Sequence, residues 1–197
     1  MYEKIKSLAK QYYPETVAIR RDLHKYPEQG WLEMRTASLV AKKLEKLGYQ
    51  VLIGKEIMCE EYRMGVPDQE ILESNYQRAI SQGADPYYIK KVKDGFTAVA
   101  GILKNGSGPV VAIRFDMDAL CIEEDDSINH NPGKFGFISC NQGTMHACGH
   151  DGHVAIGLTV AKILSNIKDS IQGTIKLIFQ PAEEGVEGVK GFVKRVF

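Results

Sequence analysis

Residues 145–153, which read MHACGHDGH, have the composition of a metal site. They hold three of the chain's five histidines together with a cysteine. Only one residue separates Cys148 from His150, so extended backbone would place both side chains on the same face. Thiolate and imidazole are good ligands for Zn²⁺ and neighbouring transition metals. We therefore predict a metal site here, with a redox-active Cys148 thiol as the alternative chemistry.

Acidic residues follow two of the predicted strands. Asp116 comes at the end of the apolar run 109–115, and Glu183 and Glu184 come directly after the β-branched run 174–179. Two adjacent carboxylates suit a division of work in which one binds a metal ion and the other takes a proton from water. Ligand sites in open α/β sheets form outside the carboxyl ends of the strands. These clusters therefore predict one cleft that holds a metal-dependent hydrolase, although the two glutamates alone would also fit the start of a solvated helix.

The elements that must position this cleft alternate between helices and strands. Helical spacing predicts a helix over 3–25 with a break at Pro14, a helix over 33–47, and an all-round apolar, buried helix over 152–167. Strands are predicted at 49–53, 96–103, 109–115 and 174–179, and Asn105-Gly106 indicates a hairpin between the second and third of them. This alternation predicts an α/β fold, with a layered mixed sheet flanked by helices.

Residues 54–94 are predicted to be a helical insertion. Pro67-Asp68 would open one helix and Asp85-Pro86 a second. The first helix would have an apolar side made of Ile71, Leu72, Tyr76, Ala79 and Ile80. The aromatic residues of this segment fit packing onto the parent domain, with cover for a site or a partner as the alternative.

Composition limits the classes of partner. The 197 residues are 44% hydrophobic and 25% charged, and 25 basic residues balance 25 acidic ones. A neutral chain has no basic field for nucleic acid or an anionic membrane, and no apolar run approaches the ~20 residues of a membrane span. The start MYEKIK lacks the apolar core of a signal peptide, so we expect a cytoplasmic protein with four reduced cysteines.

Four segments together resemble the amidohydrolase branch of the M20 metallopeptidases. They are RRDLHKYPE at 20–28, RFDMDAL at 114–120, MHACGHDGH at 145–153 and QPAEEG at 180–185. The resemblance implies a zinc-exopeptidase-like catalytic domain in which Cys148, His150 and Glu184 bind two divalent ions, Zn²⁺ or Mn²⁺. Glu183 matches the general base that deprotonates the attacking water, and Asp116 matches an acid lying beneath the metals. The supporting residues would be His146, His153 and Asp118.

The same resemblance implies the reaction, which is hydrolysis of the amide bond of an N-acyl or N-aroyl amino acid. Segments 62–68 and 137–148 are most similar to a member that acts on p-aminobenzoyl-glutamate, a folate breakdown product. A related N-acyl-amino-acid or hippurate hydrolase is one alternative, and an inactive metal-binding remnant is another.

Family members continue past the position of Phe197, through a further histidine ligand and a lid and dimerisation domain. Residues 1–197 are therefore expected to be the N-terminal part of the catalytic domain, incomplete at its C-terminus and with an exposed sheet edge. The resemblance implies that the full-length protein is a dimer, and it leaves open whether the assembly includes a second subunit type.

Overall fold

The computed structural model describes residues 1–127 and 129–185. Its centre is a four-stranded mixed sheet in the order β1-β2-β4-β3. The strands are β1 (Gln50–Ile53), β2 (Val99–Asn105), β3 (Val110–Asp116) and β4 (Gly173–Gln180). The helices are α1 (Tyr2–Lys25), α2 (Met34–Lys46), α3 (Gln69–Ser81), α4 (Asn131–Lys134) and α5 (His150–Asn166). The predicted α/β class, with a layered mixed sheet and flanking helices, is confirmed.

The hairpin predicted at Asn105-Gly106 is wrong. β2 and β3 do not pair with each other, because β4 lies between them, antiparallel to β2 and parallel to β3. The loop between β2 and β3 passes close to the start of β4, where a Cβ on Gly173 would collide with the Pro109 carbonyl oxygen. The glycines at this crossing let the chain step over one strand position, which a local turn signal does not reveal.

The break predicted at Pro14 is also wrong, because α1 is one continuous helix. Pro14 is exposed, so water can satisfy the carbonyl group that lacks its helical partner. α5 holds the helix on both sides of the proline. Lys162 lies over the Tyr12 ring at 4.3 Å from its centroid and pairs with Glu15 at 2.5 Å. These tertiary contacts outweigh the local preference.

α5 is not buried on every side as predicted, since the apolar side chain of Ile156 is 53% exposed. Its other face packs so closely on the sheet that a Cβ on Gly157 would lie 2.8 Å from the Phe115 ring and 2.9 Å from the Phe179 ring. The glycine is what permits this approach. The close packing fixes the first turn of α5 above the carboxyl ends of β3 and β4.

Segment 54–94 contains one α-helix, α3, and otherwise short 3₁₀ turns. Asp68 precedes α3 as predicted, but the helix expected after Asp85-Pro86 is only a turn followed by the 3₁₀ turn Ile89–Lys91. The predicted apolar side of α3 is only partly buried, because Ile71 and Ile80 are 47% and 45% exposed. Within the described part of the chain, no helix has the length and apolar character that a membrane crossing requires.

Candidate metal centre

Three segments of the chain meet around Asp118, two residues beyond β3. β3 and β4 run parallel, so their carboxyl ends lie side by side, with Asp116 opposite Gln180. The Asp118 carbonyl oxygen accepts a hydrogen bond from Nδ1 of His150, the first residue of α5, at 2.9 Å. The Glu184 N–H, four residues beyond β4, donates to Asp118 Oδ2 at 2.9 Å. The topology therefore gathers the residue clusters that the sequence singled out.

The structure brings Cys148, His150 and Glu184 together. One ligand atom from each lies within 4.8 Å of the other two. His150 Nε2 is 3.8 Å from Glu184 Oε1. Tetrahedral Zn²⁺ with bonds of about 2.0–2.3 Å separates its ligand atoms by roughly 3.3–3.8 Å, so a small closure of this triad would suit one ion.

His150 is oriented with one ring nitrogen towards this triad. Its Nδ1 is used by Asp118, at 2.9 Å from the carbonyl oxygen and 3.3 Å from Oδ1. Nε2 therefore remains for a ligand, and it faces Glu183 Oε2 and Glu184 Oε1, each at 3.8 Å. Metal-binding histidines commonly donate their second ring N–H to a carbonyl or carboxylate in this way.

The carboxylates of the site raise the pKa of both Cys148 and His150 and so favour their protonated forms. The neighbouring Glu184 carboxylate and burial raise the pKa of the Cys148 thiol to about 11. Burial opposes protonation of His150, but its hydrogen bond to Asp118 and the charge of that carboxylate outweigh burial and raise its pKa to about 9. Both shifts reflect an excess of negative charge, which a divalent cation would neutralise.

The donor set fits a divalent ion. Glu184 Oε1 is buried and has no hydrogen-bond partner among residues 1–127 and 129–185. A buried carboxylate oxygen without a partner is costly, and coordination to a cation would satisfy it. The combination of thiolate, imidazole and carboxylate suits Zn²⁺, and the carboxylates also tolerate Mn²⁺.

Asp116 lies in a neighbouring group of side chains. Its Oδ2 is 3.4 Å from His153 Nδ1, and its Oδ1 is 3.1 Å from Arg114 Nε. Asp116, His150 and His153 also present ligand atoms within 4.8 Å of one another. Because His150 has only one free ring nitrogen, this second triad would compete with the first for it. The carboxylate that holds His150 is Asp118, for which sequence reasoning predicts only a supporting role.

Glu183 lies at the open side of the triad. Its side chain is 35% exposed, compared with 24% for that of Glu184, and its Oε2 lies 3.8 Å from His150 Nε2. A carboxylate that is solvent-accessible and beside the ligand atoms can reach a water molecule held there. This placement is compatible with the role of general base predicted for it.

A second cluster of titratable side chains joins α1 to α5. His24 is 2% exposed, with its Nδ1 2.7 Å from Asp151 Oδ2 and its Nε2 2.9 Å from Glu124 Oε1. His130 Nε2 also reaches Glu124 Oε1, at 2.7 Å, and Arg20 Nε reaches Asp151 Oδ2 at 3.0 Å. Asp151 is the second residue of α5, so the cluster fixes the start of the helix that carries a metal-site histidine.

Sequence reasoning missed this cluster. Arg20 and His24 lie in the motif at 20–28 and Asp151 in the motif at 145–153, but these motifs contributed to the family resemblance without a role for His24. Glu124 and His130 lie about one hundred residues or more from His24 along the chain and belong to no motif.

A groove of about 1030 Å³ adjoins the metal centre and includes Cys148 in its lining. Arg20, Arg21 and His130 contribute basic groups, and Phe135 and Phe137 contribute aromatic rings. No aspartate or glutamate lies among the described residues that line it. The groove therefore combines aromatic surface with basic groups beside a predicted metal ligand.

Comparison with known proteins gives a consistent set of relatives. The sequence profile of peptidase family M20/M25/M40 matches residues 112–197. The chain is 46% identical over 192 residues to one subunit of the p-aminobenzoyl-glutamate hydrolase of Escherichia coli, covering 97% of this chain and 44% of the relative. It is 48% identical over 185 residues to indole-3-acetyl-aspartic acid hydrolase of Enterobacter agglomerans, covering 93% and 42%. The chain thus spans less than half the length of these relatives.

Solved structures show the same similarity. The aminobenzoyl-glutamate utilization protein of Klebsiella pneumoniae superposes with a TM-score of 0.79 at 38% identity, over 96% of this chain and 41% of the other. A dinuclear metal-binding M20 peptidase of Bacillus subtilis superposes with a TM-score of 0.63 at 31% identity, over 92% of this chain and 38% of the other.

Proposed function

The chain belongs to peptidase family M20/M25/M40, and from this membership we propose that it is the metal-binding, N-terminal part of the catalytic domain of an amidohydrolase. The observation that carries the proposal is the convergence of Cys148, His150 and Glu184 beside a second carboxylate, Glu183. A site of this composition suits hydrolysis of an amide better than redox chemistry, because the local negative charge disfavours a free thiolate.

The described residues divide the work of hydrolysis. The family resemblance implies two divalent ions, and Cys148, His150 and Glu184 would hold one of them. When bound, the ions would polarise the scissile carbonyl group and lower the pKa of the attacking water. Glu183 accepts the proton of that water as it attacks the amide carbon, and then delivers a proton to the leaving nitrogen. Asp118 keeps the His150 ring in place, and Asp116 supports the site from the side of His153.

The substrate class we propose is an aromatic acyl group joined to an acidic amino acid, with p-aminobenzoyl-glutamate as its first member. Two relatives are named for substrates of this form, p-aminobenzoyl-glutamate and indole-3-acetyl-aspartic acid. The groove beside Cys148 supports the assignment. The Arg21 guanidinium lies 5.6 Å from the Phe135 ring and 5.0 Å from the Phe137 ring and forms no ion pair with a described acidic residue, so it can receive a carboxylate.

Assembly and location belong to the same proposal. The Escherichia coli relative is named as one subunit of a hydrolase, which supports either a dimer or a second subunit type for the full-length protein. The four cysteines at 59, 121, 140 and 148 are all free thiols, which supports a reducing, cytoplasmic setting.

Metal analysis combined with turnover tests the function. The purified protein should bind Zn²⁺ or Mn²⁺ and release p-aminobenzoate from p-aminobenzoyl-glutamate. Cys148→Ala and Glu184→Ala should lose metal, whereas Glu183→Ala should keep it and lose hydrolysis. Undiminished turnover in Glu183→Ala would reject its role as base, and metal binding that survives both ligand variants would reject the site.

A substrate panel separates the alternatives. Hippurate keeps an aroyl amide but lacks the second carboxylate, so efficient cleavage of hippurate with no preference for p-aminobenzoyl-glutamate would favour the broader N-acyl-amino-acid hydrolase. Stoichiometric metal binding without cleavage of any of these amides would favour the third function, a metal-binding remnant without activity.

A further inference from the structure

The turn that carries Glu183 and Glu184 has a constrained backbone. Ala182 has a φ of +50°, in the left-handed region that non-glycine residues disfavour. The turn also packs against Gly30, where a Cβ would lie 3.1 Å from both the Cα and the Cβ of Ala182. Such a conformation persists only where surrounding contacts hold it.

Glu33 provides one of these contacts from the start of α2. Its side chain is fully buried, and its Oε1 accepts a hydrogen bond from the Ala182 N–H at 2.8 Å. Its Oε2 accepts a hydrogen bond from the Thr97 hydroxyl at 2.7 Å. Among the described residues, no basic side chain pairs with this carboxyl group.

Capping of α2 does not account for the position of the Glu33 side chain. It occupies the N-cap position, but its side chain makes no capping hydrogen bond. Glu28 does that work, since its two carboxylate oxygens accept the N–H groups of Arg35 and Thr36 at 3.0 Å and 2.8 Å. The carboxyl group of Glu33 instead points to the turn at 182.

The far end of the turn is held by a second buried carboxylate. Asp118 Oδ2 accepts the Glu184 N–H at 2.9 Å, and the same residue orients His150. Hydrogen bonds that the Ala182 and Glu184 N–H groups donate to Glu33 and Asp118 thus fix the backbone on both sides of Glu183. The same bonds fix the directions of both glutamate side chains.

We propose that Glu33 is a positioning residue of the metal centre, which acts through the backbone of Ala182 to aim Glu183 and Glu184 at the bound ion. The inference rests on the proposed function, because it takes Glu184 as a ligand. Glu33→Gln should preserve this role. The amide oxygen can accept the Ala182 N–H, and the NH₂ group can donate to the Thr97 hydroxyl, since a hydroxyl accepts as well as donates.

The test uses the whole 197-residue protein and two metal probes. Zn²⁺ affinity is measured by competition with a chromophoric chelator, and Co²⁺ is used for its visible and thiolate absorption bands. Glu33→Ala should weaken Zn²⁺ binding by about 10- to 100-fold and alter the Co²⁺ spectrum. Glu33→Gln should restore both to near wild-type values. Glu28→Ala is the matched control, which should lower stability without changing the Zn²⁺ affinity of the folded protein.

A second variant keeps the test decisive if Glu33→Ala does not fold. Gly30→Ala leaves the carboxyl group in place but presses on Ala182, so it should also weaken Zn²⁺ binding and alter the Co²⁺ spectrum. Wild-type Zn²⁺ affinity in a folded Glu33→Ala protein, or in Gly30→Ala when the first does not fold, would overturn the positioning role. Absence of Cys148-dependent metal binding in the unmodified protein would instead overturn the proposed function itself.

Discussion

His24 Nδ1 lies 2.7 Å from Asp151 Oδ2, and this contact joins the last turn of α1 to the first turn of α5. Glu124 accepts from the opposite ring nitrogen, so the buried imidazole lies between two carboxylates. Burial works against a charge on the ring, but the hydrogen bonds to Asp151 and Glu124 outweigh burial and raise the pKa of His24 above 6.5. Folding therefore favours the protonated form of the ring.

Stability should depend on the charge of His24. A histidine whose pKa is raised on folding stabilises fully below its unfolded value of about 6.5, and that contribution is lost as pH rises through the folded value. The free energy of unfolding, measured by urea denaturation from pH 6 upward, should fall over this window in the wild type. In His24→Gln the fall should be smaller, because the amide does not titrate. An identical pH dependence in the two proteins would show that His24 is neutral when folded.

Metal affinity should rise steeply with pH. The pKa values of about 11 for Cys148 and about 9 for His150 mean that both ligands carry a proton at neutral pH without metal. Each must lose it on coordination, so binding of one ion should release about two protons between pH 6 and 8. Calorimetry of Zn²⁺ binding in buffers of different ionisation enthalpy measures this number. Cys148→Ser should reduce it by about one, and a wild-type value near zero would contradict the assigned ligands.

The contact between α5 and the sheet can be tested with two glycine substitutions. Gly157→Ala places a Cβ 2.8 Å from the Phe115 ring and should lower the free energy of unfolding by about 1–3 kcal/mol through overpacking. Gly152→Ala is the matched control in the same helix. Among the described residues, no atom outside its chain neighbours and the adjacent helix backbone lies within 4 Å of its added Cβ, so stability should stay constant or rise by about 0.5–1 kcal/mol. Equal stability in the two variants would contradict the close approach of α5.

The groove beside Cys148 should bind substrates with a side-chain carboxylate more tightly than substrates without one. If Arg21 binds the side-chain carboxylate of the amino-acid part, Arg21→Gln should weaken binding of p-aminobenzoyl-glutamate by about tenfold, the loss expected for one charge-assisted hydrogen bond. Hippurate, which lacks that carboxylate, should be affected little. Lys25→Gln is the control, since this cation on the same helix does not line the groove. Equal losses for both ligands would remove Arg21 from the specificity site.

Local patterns in the sequence were sufficient for much of the candidate site. Cys148 and His150 share one motif, and Glu183 and Glu184 follow a recognisable buried strand, so spacing and residue type indicated the kinds of ligand. The family resemblance then selected Glu184 as the third ligand. The rule that sites form at the carboxyl ends of strands then placed these residues at one edge of the sheet. The structure agrees with that placement.

Long-range relationships were not predictable in the same way. The insertion of β4 between β2 and β3 depends on pairing between residues about 70 positions apart, which the strong turn signal at Asn105-Gly106 concealed. In the sequence, Glu33 is simply the first residue of the helix predicted over 33–47. Its carboxyl group accepts a hydrogen bond from Ala182, which lies 149 positions further along the chain. Neither relationship leaves a periodic or local trace in the sequence.

β3 forms the outer edge of the described sheet, with β4 as its only partner strand among those residues, and it exposes Val110 and Val111 by 62% and 49%. A row of open amide and carbonyl groups flanked by branched side chains is a template on which a strand from another molecule can add. Solutions of this protein should therefore become turbid or polydisperse as they are concentrated, and Val111→Lys should delay that onset.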